Sequence, residues 1–211
     1  MKGARAIGLG LLLIGTVTSL VSCASSGATR QEKDIGMSST EKAALPADPF
    51  SGIQLPAPKT AEARDYLGIG DADPFSLGDI DTQILIIEVF SMYCPHCQRE
   101  APNVNRLFDQ IVDRSDLKEK IKMIGIGVGN NDYEIDIFRK TYDIAFPLFA
   151  DPSMEISKTL KAERTPTFIA IAYDEAPMLK QVYFQVGNMA DGDLFLKEII
   201  ERSGLPIASG Q

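Results

Sequence analysis

A mixed α/β domain, one sheet with helices on both faces, is what the order of apolar segments predicts. Three observations carry this. A short β-branched and aromatic run, Ile84-Leu85-Ile86-Ile87-Glu88-Val89-Phe90, leads directly into a helical pattern. A second such run, Ile121 to Val128, is also followed by helical patterns. The chain then closes with two strand-like segments, a turn between them, and a capped helix.

The elements follow in order. Short segments near Tyr66–Ile69 and Pro74–Ile80 precede the strand at 83–90. The helix expected over 94–114 carries Val104, Leu107, Phe108, Ile111 and Val112 at helical spacing, and Pro102 should kink it. The strand at 121–128 is followed by helical patterns at 132–143 and 153–162, flanking Phe146-Pro147-Leu148-Phe149. Gly125, Gly127 and Gly129 lack G-x-G-x-x-G spacing and a P-loop lysine, so they read as a strand end and turn, not a nucleotide site. Thr167–Ala172 and Lys180–Val186, with a turn at 174–176, suggest a hairpin, and Asp191 caps a last helix bearing Leu194, Phe195, Ile199 and Ile200.

Composition sets the boundaries. Hydrophobic residues make up 45% and charged residues 24%, enough for a real core. With a net charge of −8 and no basic cluster, nucleic acid is not an expected partner. Residues 1–22 have a positive n-region (Lys2, Arg5) and an interrupted apolar stretch, the layout of a secretory signal. They end Leu20-Val21-Ser22-Cys23, which resembles a bacterial lipobox with Cys23 as the lipidated residue; the alternative is an ordinary signal with an incidental cysteine. Ala24 after that cysteine hints at the outer membrane. From residue 23 to 60 the Ser-, Ala-, Pro- and charge-rich sequence reads as a tether, the alternative being an arm packed through Phe50, Ile53 and Leu55. The ordered domain is expected over 61–205, with a tail at 206–211.

The chemistry centres on Cys94-Pro95-His96-Cys97, which holds two of the three cysteines and the only histidine. A C-x-x-C at a strand-to-helix junction is a redox context. An exported protein meets an oxidising compartment, and this pair is too small a set for a disulfide scaffold. Cys94, at the helix N-terminus, is the expected nucleophile, because that position lowers a thiol pKa from ~8.5 to between ~3.5 and ~7.5. Cys97, one turn further, is the resolving thiol. His96 would favour the Cys94 thiolate by charge or hydrogen bonding, or would simply be an exposed histidine. Glu88, a carboxylate inside an apolar strand, should have a raised pKa if buried. A metal site would need more ligands than the motif offers, and no resident cofactor is expected.

These residues resemble known envelope proteins. The domain looks like a thioredoxin fold, and Ser91 to Cys97 following Glu88-Val89-Phe90 is DsbA-like down to the Pro95-His96 dipeptide. The remaining layout, with Phe75 to Ile80 ahead of the active-site strand and Phe146-Pro147 and Asp151 before Thr165-Pro166-Thr167, is more similar to the TlpA/ResA group. The resemblance implies that Glu88 moves protons for the second cysteine. It also implies that Glu100 matches the acid of ResA-type reductants, though on an amphipathic helix it reads equally as a surface residue. Thr165-Pro166 resembles the cis-proline loop that faces the disulfide and pairs with substrate, and Gly187 would line the substrate groove or serve as a turn glycine.

The implied activity is thiol–disulfide exchange with exported proteins that carry thiols or disulfides, with a membrane redox partner as a further candidate. The resemblance to a lipobox implies that the lipid bilayer is contacted through Cys23, on the periplasmic side of a bacterial envelope. A dedicated reductant for cytochrome c or metal-site cysteines, and a copper- or haem-binding lipoprotein, are the alternatives. A peroxidase of the peroxiredoxin branch would want Pro and Thr where Ile87 and Ser91 stand.

Overall fold

In the computed structural model, residues 48–173 and 178–206 are described. The expected signal segment, Cys23, the tether as far as Ala47, the 174–176 turn and residues 207–211 lie outside them.

The polypeptide forms β1 (Gln54–Leu55), α1 (Ala61–Leu67), β2 (Phe75–Ser76), β3 (Ile84–Phe90) and α2 (Pro95–Asp113). These are followed by β4 (Ile121–Val128), α3 (Asp132–Thr141), β5 (Leu148–Asp151) and α4 (Glu155–Thr159). Last come β6 (Thr167–Tyr173), β7 (Leu179–Val186) and α5 (Gly192–Ser203). Five strands pair in the order β5-β4-β3-β6-β7, with β4 parallel to β3 and to β5, and β6 antiparallel to β3 and β7. β3 therefore lies at the centre, and all seven of its residues are buried. Burial on both faces explains why it reads as a nearly unbroken apolar run.

Alternation along β3 divides the core into two layers. Ile84, Ile86 and Phe90 join one cluster with Cys97, Val104 and Leu107 of α2, Ile135 and Phe138 of α3, and Phe195 and Ile199 of α5. Leu85, Ile87 and Val89 join the other, with Leu55, Leu67, Phe75, Leu77 and Leu160. By the same alternation Glu88 belongs to the face that receives α2. That register places a carboxylate in the layer holding Cys97.

The ordered domain begins before the expected boundary at residue 61. Phe50, Ile53 and Leu55 are buried in the second cluster, and β1 pairs antiparallel with β2. The Asp48 carboxylate accepts from the Phe50 N–H (2.8 Å) and from the Leu179 N–H (2.7 Å), tying the arm to β7. Three apolar residues and one aspartate thus hold a stretch whose composition reads as a tether. Helix ends match their caps: Asp191 Oδ1 accepts from Leu194 N at 3.0 Å, and Gly204 closes α5 at φ +70°. α2 continues through Pro102.

Gly125 and Gly127 lie in the carboxyl-terminal half of β4, on the α2 and α3 side, and Gly129 turns just beyond the strand at φ +64°, the strand end and turn that the sequence predicts. A Cβ on Gly127 would lie 2.6 Å from Ile135 Cγ2 and 3.3 Å from Asn130 Cβ. Both neighbours are close to their own backbones, so α3 would have to retreat. Gly127→Ala should cost about 1–3 kcal/mol, read as a lower urea midpoint at unchanged m-value.

Candidate active site

Cys94 is the N-cap of α2, with Pro95 opening the helix and the Gln98 N–H bonding the Cys94 carbonyl at 3.1 Å. Its side chain is partly buried, whereas Cys97, one turn on, has no exposed surface; both are free thiols. Cys94 Sγ lies 3.3 Å from the Thr165 carbonyl, to which the thiol donates. The Thr165–Pro166 bond is cis, and the Pro166 carbonyl accepts from the Gly187 N–H at 2.8 Å. So α2, the loop before β6 and the loop after β7 meet at one thiol. The sequence-expected residues Cys94, Cys97, Thr165, Pro166 and Gly187 come together here.

The two thiols sit in opposed environments. Burial raises Cys94, but hydrogen bonds from the Thr165 side chain, the Cys97 backbone and thiol, and the His96 backbone outweigh it. The net effect holds its pKa below the ordinary thiol value. Burial pushes Cys97 well above that value, against a backbone hydrogen bond from Ser91, and the negative charges of Glu88 and Cys94 add to the rise. The two environments pull in opposite directions, towards the thiolate at Cys94 and towards the thiol at Cys97.

Glu88 is 1% exposed, and its Oε1 has no hydrogen-bond partner among the described residues. Burial first, then the charge of Glu100, then that of Cys94, push its pKa up to about 8. Glu100, equally buried, is instead fully engaged: Oε1 accepts from the Met189 N–H at 2.8 Å, and Oε2 from Asn103 Nδ2 (3.2 Å) and Asn188 Nδ2. This separates the two acids. Glu100 clamps α2 to the loop after β7, while Glu88 is the carboxyl free to take or give a proton.

His96 is placed differently from expectation. Its ring is exposed, and Arg99 Nη2 lies 3.1 Å from Nδ1. A guanidinium only donates, so Nδ1 is the acceptor in this contact. The His96 group that lowers the Cys94 pKa is its backbone N–H, not its imidazole.

The sequence reading missed the residues that hold the loop before Cys94. Asn130, fully buried, accepts from the Met92 N–H at 2.9 Å, and Gln98 Nε2 donates to the Met92 carbonyl at 2.8 Å. Tyr93 is 64% exposed, and its hydroxyl donates to Glu134 Oε1. Glu134 Oε2 meanwhile accepts from the Asn131 N–H (2.9 Å), completing the α3 capping box. One available signal was position: Asn130 and Asn131 follow the carboxyl end of β4, the edge where open α/β sheets build sites. Among the described residues no three His, Cys, Asp or Glu side chains are grouped as a metal ion would need, and no helix is long and apolar enough to cross a membrane.

Comparison with known proteins gives a consistent result. Thiol-disulfide oxidoreductase ResA of Bacillus cereus is 26% identical over 116 residues, 55% of this chain and 56% of that protein. The corresponding protein of Bacillus thuringiensis is 24% identical over the same coverage. The chain therefore spans about half the length of the curated relatives it matches. A secreted Mycobacterium tuberculosis disulfide oxidoreductase homologous to E. coli DsbE superposes with a TM-score of 0.50 at 16% identity, over 74% of this chain and 99% of that one. MTB DsbF gives 0.53 at 14% identity, over 73% and 97%. These likenesses show a thioredoxin-like fold. The AhpC/TSA family model matches residues 54–184, from β1 into β7 and through both cysteines, and the chain belongs to that family.

Proposed function

We propose that the protein is a thiol–disulfide oxidoreductase that exchanges disulfides with exported proteins through Cys94 and Cys97. The observation that carries this is the asymmetry of the thiols: an accessible sulfur with a lowered pKa beside a buried one with a raised pKa. The names of the ResA relatives support the same chemistry.

In the reducing direction, Cys94 thiolate attacks one sulfur of a substrate disulfide, and the other substrate sulfur leaves as a thiolate. Cys97 then gives its proton to Glu88 and attacks Cys94 Sγ. The second substrate sulfur leaves, taking a proton, and the enzyme holds the new disulfide. Two electrons have passed to substrate. Oxidation of a substrate dithiol runs the same steps in reverse. Stabilisation of the Cys94 thiolate favours the reduced enzyme, which makes its disulfide the better donor. A reductant role, as the ResA names suggest, is the second reading. Anchoring through lipidated Cys23 on the periplasmic side, with the outer membrane as its site, belongs to the same proposal.

Purified Cys97→Ser, given a disulfide peptide, should accumulate a mixed disulfide with Cys94, and Cys94→Ser should form none. A mixed disulfide of equal yield in Cys94→Ser would overturn the assignment. Acid quenching and alkylation of intact cells then gives direction: a mostly oxidised pair marks a donor, a mostly reduced pair a reductant.

A further inference from the structure

We infer that the partner segment entering this site is acidic: a cysteine peptide with Asp or Glu beside its cysteine, received by Arg99 and Arg164. The inference rests on the exchange reading above and specifies its substrate class.

The chain as a whole carries a net charge of −8, which repels acidic partners. The rim of the thiol is different. The first turn of α2 contains no acidic residue. Arg99, exposed, reaches back to His96 Nδ1 and so fixes its guanidinium beside that turn. Arg164, also exposed, immediately precedes Thr165, whose carbonyl lies 3.3 Å from Cys94 Sγ. Its own carbonyl accepts from Thr167 Oγ1 at 2.6 Å, which holds its backbone in place.

Neither guanidinium is in an ion pair among the described residues, whereas Arg114, Arg139 and Arg202 each are. The acidic groups nearby offset this only in part. Glu134 keeps its negative charge but spends its oxygens on Tyr93 and Asn131, and Asp191 caps the positive N-terminal end of α5, so neither pairs with Arg99 or Arg164. Exposed Glu163 stands next to Arg164, but exposed Lys161 lies in the same loop. Arg99 follows Cys94 on α2, and Arg164 precedes the Thr165 carbonyl that faces it, so the two segments that meet at the nucleophile each carry an exposed arginine; such charge complementarity acts chiefly on the rate of encounter.

The test uses the full chain and three disulfide-linked peptides differing only in the residues flanking cysteine: two Glu, two Gln or two Lys. Rates of reduction by the dithiol enzyme are compared within each variant, so that the ratio is the readout. At low ionic strength the Glu peptide should react about tenfold faster than the Lys peptide, and the ratio should collapse towards one in high salt. In the Arg99→Glu/Arg164→Glu variant the order should reverse. Equal rates for all three peptides with the wild-type protein, or an unreversed order in the variant, would overturn the inference while leaving the exchange reading intact. No reaction with any peptide would remove the exchange reading, and the inference with it.

Discussion

Glu88→Gln is expected to remove a fall in stability that the wild-type domain shows between about pH 4.5 and pH 8. In the folded protein the Glu88 carboxyl keeps its proton up to about 8, because burial and the charges of Glu100 and Cys94 oppose ionisation. In the unfolded chain it releases that proton near its ordinary value of 4.5. Between the two the folded state binds more protons, so stability declines as pH rises, by up to ~1.4 kcal/mol per pH unit. Below the window both states are protonated and nothing is lost; above it both are ionised and the loss is complete, at about 5 kcal/mol.

Cys94 acts in the opposite sense. Its folded pKa is lowered, so the reduced protein gains stability from it as pH rises towards the unfolded thiol value. Comparing wild type and Glu88→Gln, both reduced, cancels that contribution. Urea unfolding at several pH values should therefore show the two curves diverging through this window. Identical slopes would mean that Glu88 is ionised well below pH 8. The same substitution should lengthen the life of the mixed disulfide by on the order of 100-fold, as expected when a proton acceptor is lost. It should also erase a rise in the wild-type resolving rate through pH 8.

Much of this was legible because the pattern and the chemistry coincide. A strand buried on both faces leaves no ambiguity of period, and a cysteine pair at its exit marks the helix start; β3 and α2 were readable for that reason. Asp191 announced α5 as a cap does. The arm before α1 was not readable, since Phe50, Ile53 and Leu55 are too few and too irregular to set a period, and their burial depends on the surface formed by α1, β2 and the sheet. β5, only Leu148–Asp151, likewise has no signal of its own.

In the site, residue types were legible but their partners were not. Glu88 and Glu100 look alike in the sequence; only the fold gives one three donors and leaves the other an oxygen with none. His96 sits between two cysteines in the sequence, yet the helix turns its ring towards Arg99. Asn130 and Gln98 hold Met92 from opposite sides through contacts that no motif records.

Glu100→Ala should destabilise the domain by about 3–5 kcal/mol, more than an ordinary surface carboxylate could. The buried Met189 N–H and two asparagine amides would lose their shared acceptor. Glu100→Gln keeps an oxygen for the Met189 N–H and should lose only about 1–2 kcal/mol. Both substitutions remove the charge, and both should therefore move the Glu88 titration below about 8, since Glu100 is the second cause of its rise after burial. A ¹³C carboxyl titration of the folded protein reads that movement directly.

Only the alanine variant should also loosen the site. Glu100 ties α2 to Asn188 and Met189, and the neighbouring Gly187 N–H holds the Pro166 carbonyl, one residue from the Thr165 carbonyl that faces Cys94. Without that tie the hydrogen bonds that lower the Cys94 pKa lose their alignment, and iodoacetamide titration of Cys94 should shift towards the ordinary thiol value. A Cys94 pKa unchanged in Glu100→Ala would mean that the two halves of the site are held together by the sheet alone.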